Sequence, residues 1–140
     1  MDDKVITFDF DDTLFSLGEE QYGILWAAST ILKPIQKIHD LLFEKHKEGY
    51  TIDIVTSRES WDVPEVKQYV EAYQLPIRNI VHTAGKSKTR YLKEIGSGLH
   101  VDDLLSVVVH AEQHGIPCLL VDDGRHKNNT TADLFTKIIL

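Results

Sequence analysis

Val5-Ile6-Thr7-Phe8-Asp9-Phe10-Asp11-Asp12-Thr13 is the stretch on which the rest of the chain turns. Val5 to Phe8 have the residue types of a buried strand, and Asp9 and Asp11 leave its end two residues apart, where strand becomes turn. Carboxylates crowded in this way repel one another and lose solvation, and the usual remedies are a bound cation or a shared proton. The same spacing offers a nucleophile and an acid/base group at one point in space. Without chemistry, Asp9 and Asp11 would simply end the strand by bonding to turn backbone. The paired spacing followed by Thr13 argues against that.

Outward from this stretch, strand-like and helix-like segments alternate, which predicts a parallel sheet covered by helices on both faces. Pro34 to Lys47 reads as a helix, with Pro34 in its first turn, Ile35, Ile38, Leu41 and Leu42 at helical spacing, and Gly49 as a stop. A β-type run over 50–55 ends in Thr56-Ser57-Arg58. Asp62 and Glu65 resemble a capping box opening a helix with Val66, Tyr69, Val70 and Tyr73 on one side, and a short strand around Ile77 to His82 follows. Ser87 can cap a helix that stops at Gly96. Leu99-His100-Val101 leads into Asp102-Asp103, then an apolar helix to His114, a strand over 116–121 and Asp122-Asp123. Thr130 and Asp133 are expected to open a C-terminal helix through Leu134, Phe135, Ile138 and Ile139. The expected fold is a three-layer, doubly wound, Rossmann-like α/β domain over residues 1–140, with a mainly parallel five-stranded sheet. Each strand delivers polar residues at its C-terminal end, the edge where ligands bind in open α/β sheets.

Bulk properties narrow the field. The 140 residues suffice for one core without disulfides or structural metal, and the single cysteine, Cys118, cannot pair within the chain. A cytoplasmic protein without membrane association is expected, since no apolar run approaches transmembrane length. With 22 acidic against 15 basic side chains, the net charge of −7 works against tight sequence-independent nucleic-acid binding. Lys86, Lys88, Arg90 and Lys93 form the one basic cluster, in which Arg90 and Lys93 read as a solvated helix face. No pair of the seven histidines has convincing transition-metal spacing, and His100 is expected to point into the sheet or its helix layer.

The run Asp9-Phe10-Asp11-Asp12-Thr13 after a hydrophobic strand resembles the signature of the haloacid dehalogenase (HAD) superfamily, whose commonest members are magnesium-dependent phosphohydrolases. Thr56 resembles the family's second motif, a hydroxyl that holds a phosphoryl oxygen together with the next backbone N–H, here that of Ser57. Lys86 and Lys88 compete for the third, a lysine that neutralises nucleophile and phosphate. Lys88 is preferred because it lies in a first helical turn, where helix N-terminus and ammonium reinforce each other against an anion. Asp102-Asp103 matches the fourth, metal-binding motif, and Asp122-Asp123 fits the same pattern. Order favours the first pair, on a fourth strand that lies beside the first in this fold, and leaves the second on an outer strand. Leu104 departs from relatives that continue with Ser, Arg or Asn.

The resemblance implies that Asp9 attacks phosphorus to form an aspartyl-phosphate, while Asp11 protonates the leaving oxygen and then activates water. It implies Mg²⁺ held by the Asp9 carboxylate, the Asp11 main-chain carbonyl and Asp103, with Asp102 behind it. Thr56 and Lys88 would bind the transferring group, with Thr13, Ser57 and Arg58 as further phosphate or substrate contacts. Dehalogenation needs no leaving-group protonation, so Asp11 disfavours that reaction. The gaps from Thr13 to Thr56 and from Thr56 to Lys88 are too short for a cap domain. An uncapped site suits a bulky ester such as a nucleotide or a nucleic-acid terminal phosphate, loosely like nucleotidases and the phosphatase domain of polynucleotide kinase–phosphatases. A flap over about 15–33 carries Tyr22 and Trp26, which either stack on a base or pack the flap onto the body. Competing functions are a catalytically silent phosphate-binding or interaction module, and phosphoryl transfer to an acceptor other than water.

Overall fold

The computed structural model describes residues 4–16 and 33–140; Tyr22 and Trp26 lie outside them. Six parallel strands form the main sheet: β1 (Val5–Phe8), β4 (Thr51–Thr56), β5 (Ile77–His82), β6 (Leu99–Asp102), β7 (Cys118–Asp122) and β8 (Lys137–Ile139). Their order, β5-β4-β1-β6-β7-β8, puts β1 in the middle, with β4 on one side and β6 on the other. The chain therefore reverses direction across the sheet at β1, and the carboxyl ends of β1, β4 and β6 open on one crevice. Two-residue strands β2 (Phe15–Ser16) and β3 (Lys33–Pro34) pair antiparallel at the base of the expected flap.

The central strands are buried on both faces. β1 is buried throughout, and Ile52 to Thr56 of β4 and His100 to Asp102 of β6 likewise, as a sheet covered by helices on both sides requires. Helices α1 (Gln36–Lys47) and α2 (Val63–Ala72) supply Ile38, Leu42, Val66 and Tyr69 to one core cluster. Helices α3 (Lys88–Ile95) and α4 (Leu105–Gln113) supply Leu92, Val108 and Ala111 to a second. Among the described residues, no helix is long and apolar enough to cross a membrane.

The expected α/β architecture is present, with differences. The sheet has six strands rather than five because the C-terminal segment is not a helix: Ala132–Leu134 makes one 3-10 turn and Lys137–Ile139 pairs with β7 as an edge strand. Leu134 and Ile139, two apolar positions of the expected helix, are 79% and 57% exposed, so no face buries them together. A helix lacks a reason to form there, whereas β-branched Thr136, Ile138 and Ile139 suit an extended edge. Pro34 lies in β3 rather than in the first turn of α1, which starts after Ile35. Asp62 makes no side-chain cap for α2, because a 3-10 turn over Ser60–Asp62 leads into the helix. Ser87 does stand at the N-cap of α3, without a side-chain cap bond, and Gly96 ends the helix in the left-handed conformation with φ 79°.

Candidate active site

The turn after β1 is clamped before it does anything else. Phe10, Leu14 and Phe15 are buried side by side, with Phe10 and Phe15 rings 4.7 Å apart and both against Tyr69. Each such burial contributes roughly 1.5–3 kcal/mol. The Leu14 carbonyl accepts from Ile35 N–H (2.9 Å), His39 Nε2 (3.1 Å) and the Tyr69 hydroxyl (3.0 Å). Asp12 takes φ 60°, a left-handed conformation that Asp adopts more readily than most residues, and Thr13 and Leu14 N–H groups both return to the Phe10 carbonyl. Asp9 is fixed from the sheet, its N–H donating to the Val101 carbonyl of β6 at 2.9 Å.

This framework brings the predicted residues of three strands and one helix together. Lys88 Nζ, buried at the start of α3, donates to Asp9 Oδ1 at 2.7 Å and to Asp102 Oδ2 at 2.9 Å. Lys86 is exposed and makes no such contact. Asp102 is satisfied from all sides: Lys88 and His100 Nε2 (2.8 Å) donate to Oδ2, and Leu104 N–H (3.0 Å) donates to Oδ1. Burial alone would raise the Asp102 carboxyl, yet His100, Lys88 and the Leu104 amide together hold it well below the usual carboxylate range. Burial lowers His100, so its imidazole is neutral, donating through Nε2 to Asp102 and accepting from the Thr7 hydroxyl (2.8 Å) at Nδ1.

Asp9 and Asp103 are less well served. Both face the Thr13 hydroxyl, at 3.2 Å from Asp9 Oδ2 and 3.1 Å from Asp103 Oδ1, and a hydroxyl has one hydrogen to give. Burial, with the Asp102 charge behind it, pushes the Asp9 carboxyl well above its ordinary value despite Lys88. Asp9, Asp102 and Asp103 each offer a ligand atom, all within 4.8 Å of one another, and all three residues are buried. Lys88 and Arg125 each pair with one oxygen of Asp9 and Asp103, which leaves Asp9 Oδ2 and Asp103 Oδ1 sharing one hydroxyl beside a third carboxylate that is already satisfied, and such oxygens fit a hard divalent cation. Asp9 and Asp103 have the open valence for it, and Asp102 does not.

Asp11 and Arg58 meet in a way the sequence did not suggest. Arg58 Nε and Nη2 donate to Asp11 Oδ2 (3.0 Å) and Oδ1 (2.8 Å), a bidentate pair, and Nη1 donates to Glu65 at 2.8 Å. The guanidinium also lies 5.1 Å over the Phe10 ring. The hydrogen bonds it donates to Asp11 raise the Arg58 pKa further, so the arginine is a fixed cation at the rim. Thr56, at the end of β4, is buried, and its Oγ1 accepts from Arg58 N–H at 3.3 Å.

The second acidic pair stands one strand farther out. Asp122 Oδ1 accepts from Gly124 N–H at 2.8 Å, and Asp123 binds Arg125 through Nε (3.0 Å) and Nη2 (2.9 Å). The sequence reading missed what Arg125 then does: its Nη1 donates to Asp103 Oδ2 at 2.7 Å, while His126 Nε2 donates to the Asp103 carbonyl at 3.0 Å. The loop after β7 thus grips Asp103 on the side away from Thr13. The one available signal was an arginine two residues after an acidic pair, a pattern that surface turns also produce.

No family model and no curated protein matches the sequence. Solved structures match the fold. A Vibrio cholerae protein described as a 3-deoxy-D-manno-octulosonate 8-phosphate phosphatase aligns with a TM-score of 0.58 and 17% identity, covering 98% of this chain and 73% of that one. The cobalt-bound deoxy-D-mannose-octulosonate 8-phosphate phosphatase of Haemophilus influenzae gives a TM-score of 0.60 and 14% identity, over 100% of this chain and 80% of the other. The Moraxella catarrhalis 3-deoxy-D-manno-octulosonate 8-phosphate phosphatase, solved with magnesium, phosphate and the sugar acid, gives 0.59 and 16%, over 98% and 75%. At these identities the likeness is one of fold.

Proposed function

We propose that this chain is a Mg²⁺-dependent phosphomonoesterase of the HAD type, working through an aspartyl-phosphate on Asp9. The observation that carries this is the buried Asp9, hydrogen-bonded to Lys88 and facing Asp103 across a single hydroxyl at the carboxyl edge of the central strand. Three structural neighbours named as phosphatases, one with magnesium and one with cobalt, lend support by fold.

Asp9, Asp103 and the main-chain carbonyl of Asp11 would hold the cation, whose charge would keep Asp9 ionised and offset charge on the phosphoryl oxygens. Lys88 and the hydroxyl and amide of Thr56 and Ser57 would hold the transferring group. Asp9 forms the bond to phosphorus as the bond to the leaving oxygen breaks, and Asp11 gives that oxygen its proton. Asp11 then takes a proton from water, which attacks the aspartyl-phosphate and frees phosphate and Asp9. To act as the acid, Asp11 must loosen its bidentate pair with Arg58, and an incoming phosphate ester gives that guanidinium a second anion to bind. Trp61, 74% exposed on the turn after Arg58, offers a ring for a base, in keeping with a nucleotide or nucleic-acid end as substrate.

Phosphate release from a panel of sugar phosphates, nucleotides and 3′-phosphorylated oligonucleotides, with Mg²⁺ or EDTA, tests the proposal. Metal-dependent release that falls at least about 10³-fold in Asp9→Asn is expected. Silence across the panel from folded protein would leave a binding module instead, and phosphoryl esters formed with added alcohols would indicate transfer to another acceptor.

A further inference from the structure

Beside the catalytic residues a cleft of about 380 Å³ opens between the starts of α3 and α4, lined among others by Ser57, Lys86, Ser87, Lys88, Ser106 and His110. Its lining is unusual for this protein. The chain has 22 acidic residues and a net charge of −7, yet none of the residues around this cleft is acidic and two are lysines. Lys88 is turned inward to Asp9 and Asp102, but Lys86 is exposed and has no ion-pair partner among the described residues. The hydroxyls of Ser57 and Ser106 likewise have no hydrogen-bond partner there. The loop that carries Lys86 leaves from Thr83, whose own hydroxyl is buried and unbonded.

We propose that this cleft binds a second phosphate group of the substrate, so that the natural ester carries two phosphates rather than one. The inference rests on the phosphomonoesterase reading above, since Ser57 and Lys88 belong both to the cleft wall and to the cradle proposed for the scissile group. A group bound there meets a lysine ammonium, two serine hydroxyls and no carboxylate, a donor set complementary to an anion and to little else. Its lining comes mainly from the starts of α3 and α4 and includes neither Asp11 nor Arg58, so the two phosphates would straddle the lysine. This gives Lys86 a role distinct from that of Lys88.

The test compares adenosine 3′,5′-bisphosphate with the 3′- and 5′-monophosphates as substrates for the wild type and Lys86→Gln. The wild type is expected to prefer the bisphosphate in kcat/KM by about tenfold, through KM, and Lys86→Gln to lose most of that ratio. Calorimetric titration of the Asp9→Asn protein with the same three compounds reads binding without turnover. Tighter binding of the bisphosphate that Lys86→Gln removes upholds the subsite even if none of them is hydrolysed, which separates its fate from that of the catalytic reading. Equal binding of mono- and bisphosphate by Asp9→Asn with Lys86 in place overturns it, as does a preference that survives in Lys86→Gln. Stimulation of monophosphate turnover by inorganic phosphate, with no bisphosphate preference, would mark a separate effector anion and also overturn it.

Discussion

Asp102-Asp103 and Asp122-Asp123 are the same dipeptide at the ends of adjacent parallel strands, β6 and β7, yet only the first meets Asp9. The difference lies in what each strand has beside it. Two residues before Asp102 stands His100, on the same face, and α3 delivers Lys88 to the same carboxylate. The matching position before Asp122 is Leu120, fully buried, and among the described residues the Asp122 side chain bonds only to a turn amide. Arg125 bonds to both Asp103 and Asp123, but Asp103 also faces inward to Thr13 and Asp9, whereas the other side of Asp123 faces solvent. An acidic pair becomes a candidate metal site here by standing next to β1 with a donor network behind it, and the motif alone does not distinguish the two.

The sharpest way to break this comparison is to remove one carboxylate from each pair and measure turnover. Asp103→Asn should lower phosphate release by about 10²–10³-fold, and Asp123→Asn by no more than about threefold. Stability should separate the inner residues. Asp102→Ala leaves the buried Lys88 ammonium with Asp9 alone and His100 Nε2 without its acceptor, and should cost about 3–5 kcal/mol in denaturant unfolding, while Asp122→Ala should cost about 1 kcal/mol. His100→Leu gives β6 the residue type that β7 has, and loss of a hydrogen bond to a charged group should cost about 1.5–3 kcal/mol.

Acid should draw the same line more finely. His100 is held neutral below its ordinary pKa, so the unfolded chain binds the proton more readily, and stability falls once pH drops below about 6.5. Asp102, depressed on folding, contributes stability present above about 3.9 and lost as pH falls further. Asp123 is pushed down to about 2 by its bond to Arg125, which has the same sign, but the pair is exposed and contributes under about 1 kcal/mol. His39, also buried and lowered, adds to the same limb, so stability measured from pH 7 to pH 3 should keep only a shallower first limb in His100→Leu and barely change in Asp123→Asn.

Much of this was legible from residues. The strand ends at Asp9, Thr56 and Asp102 and the helix stop at Gly96 follow from local pattern, because buried runs and glycine turns are local physics. The C-terminal helix was misread because Leu134, Ile138 and Ile139 have helical spacing, yet only Ile138 packs against the core while Leu134 and Ile139 stay exposed. His39, Arg58 and Arg125 act on Leu14, Asp11 and Asp103, partners 25, 47 and 22 residues away, and no local rule encodes such contacts.

The most direct measurement is a calorimetric titration of Mg²⁺ into metal-free wild type, Asp103→Asn and Asp123→Asn. A single site that disappears in Asp103→Asn and persists in Asp123→Asn is the predicted result. Binding retained in Asp103→Asn and lost in Asp123→Asn would move the cation to β7 and contradict the account.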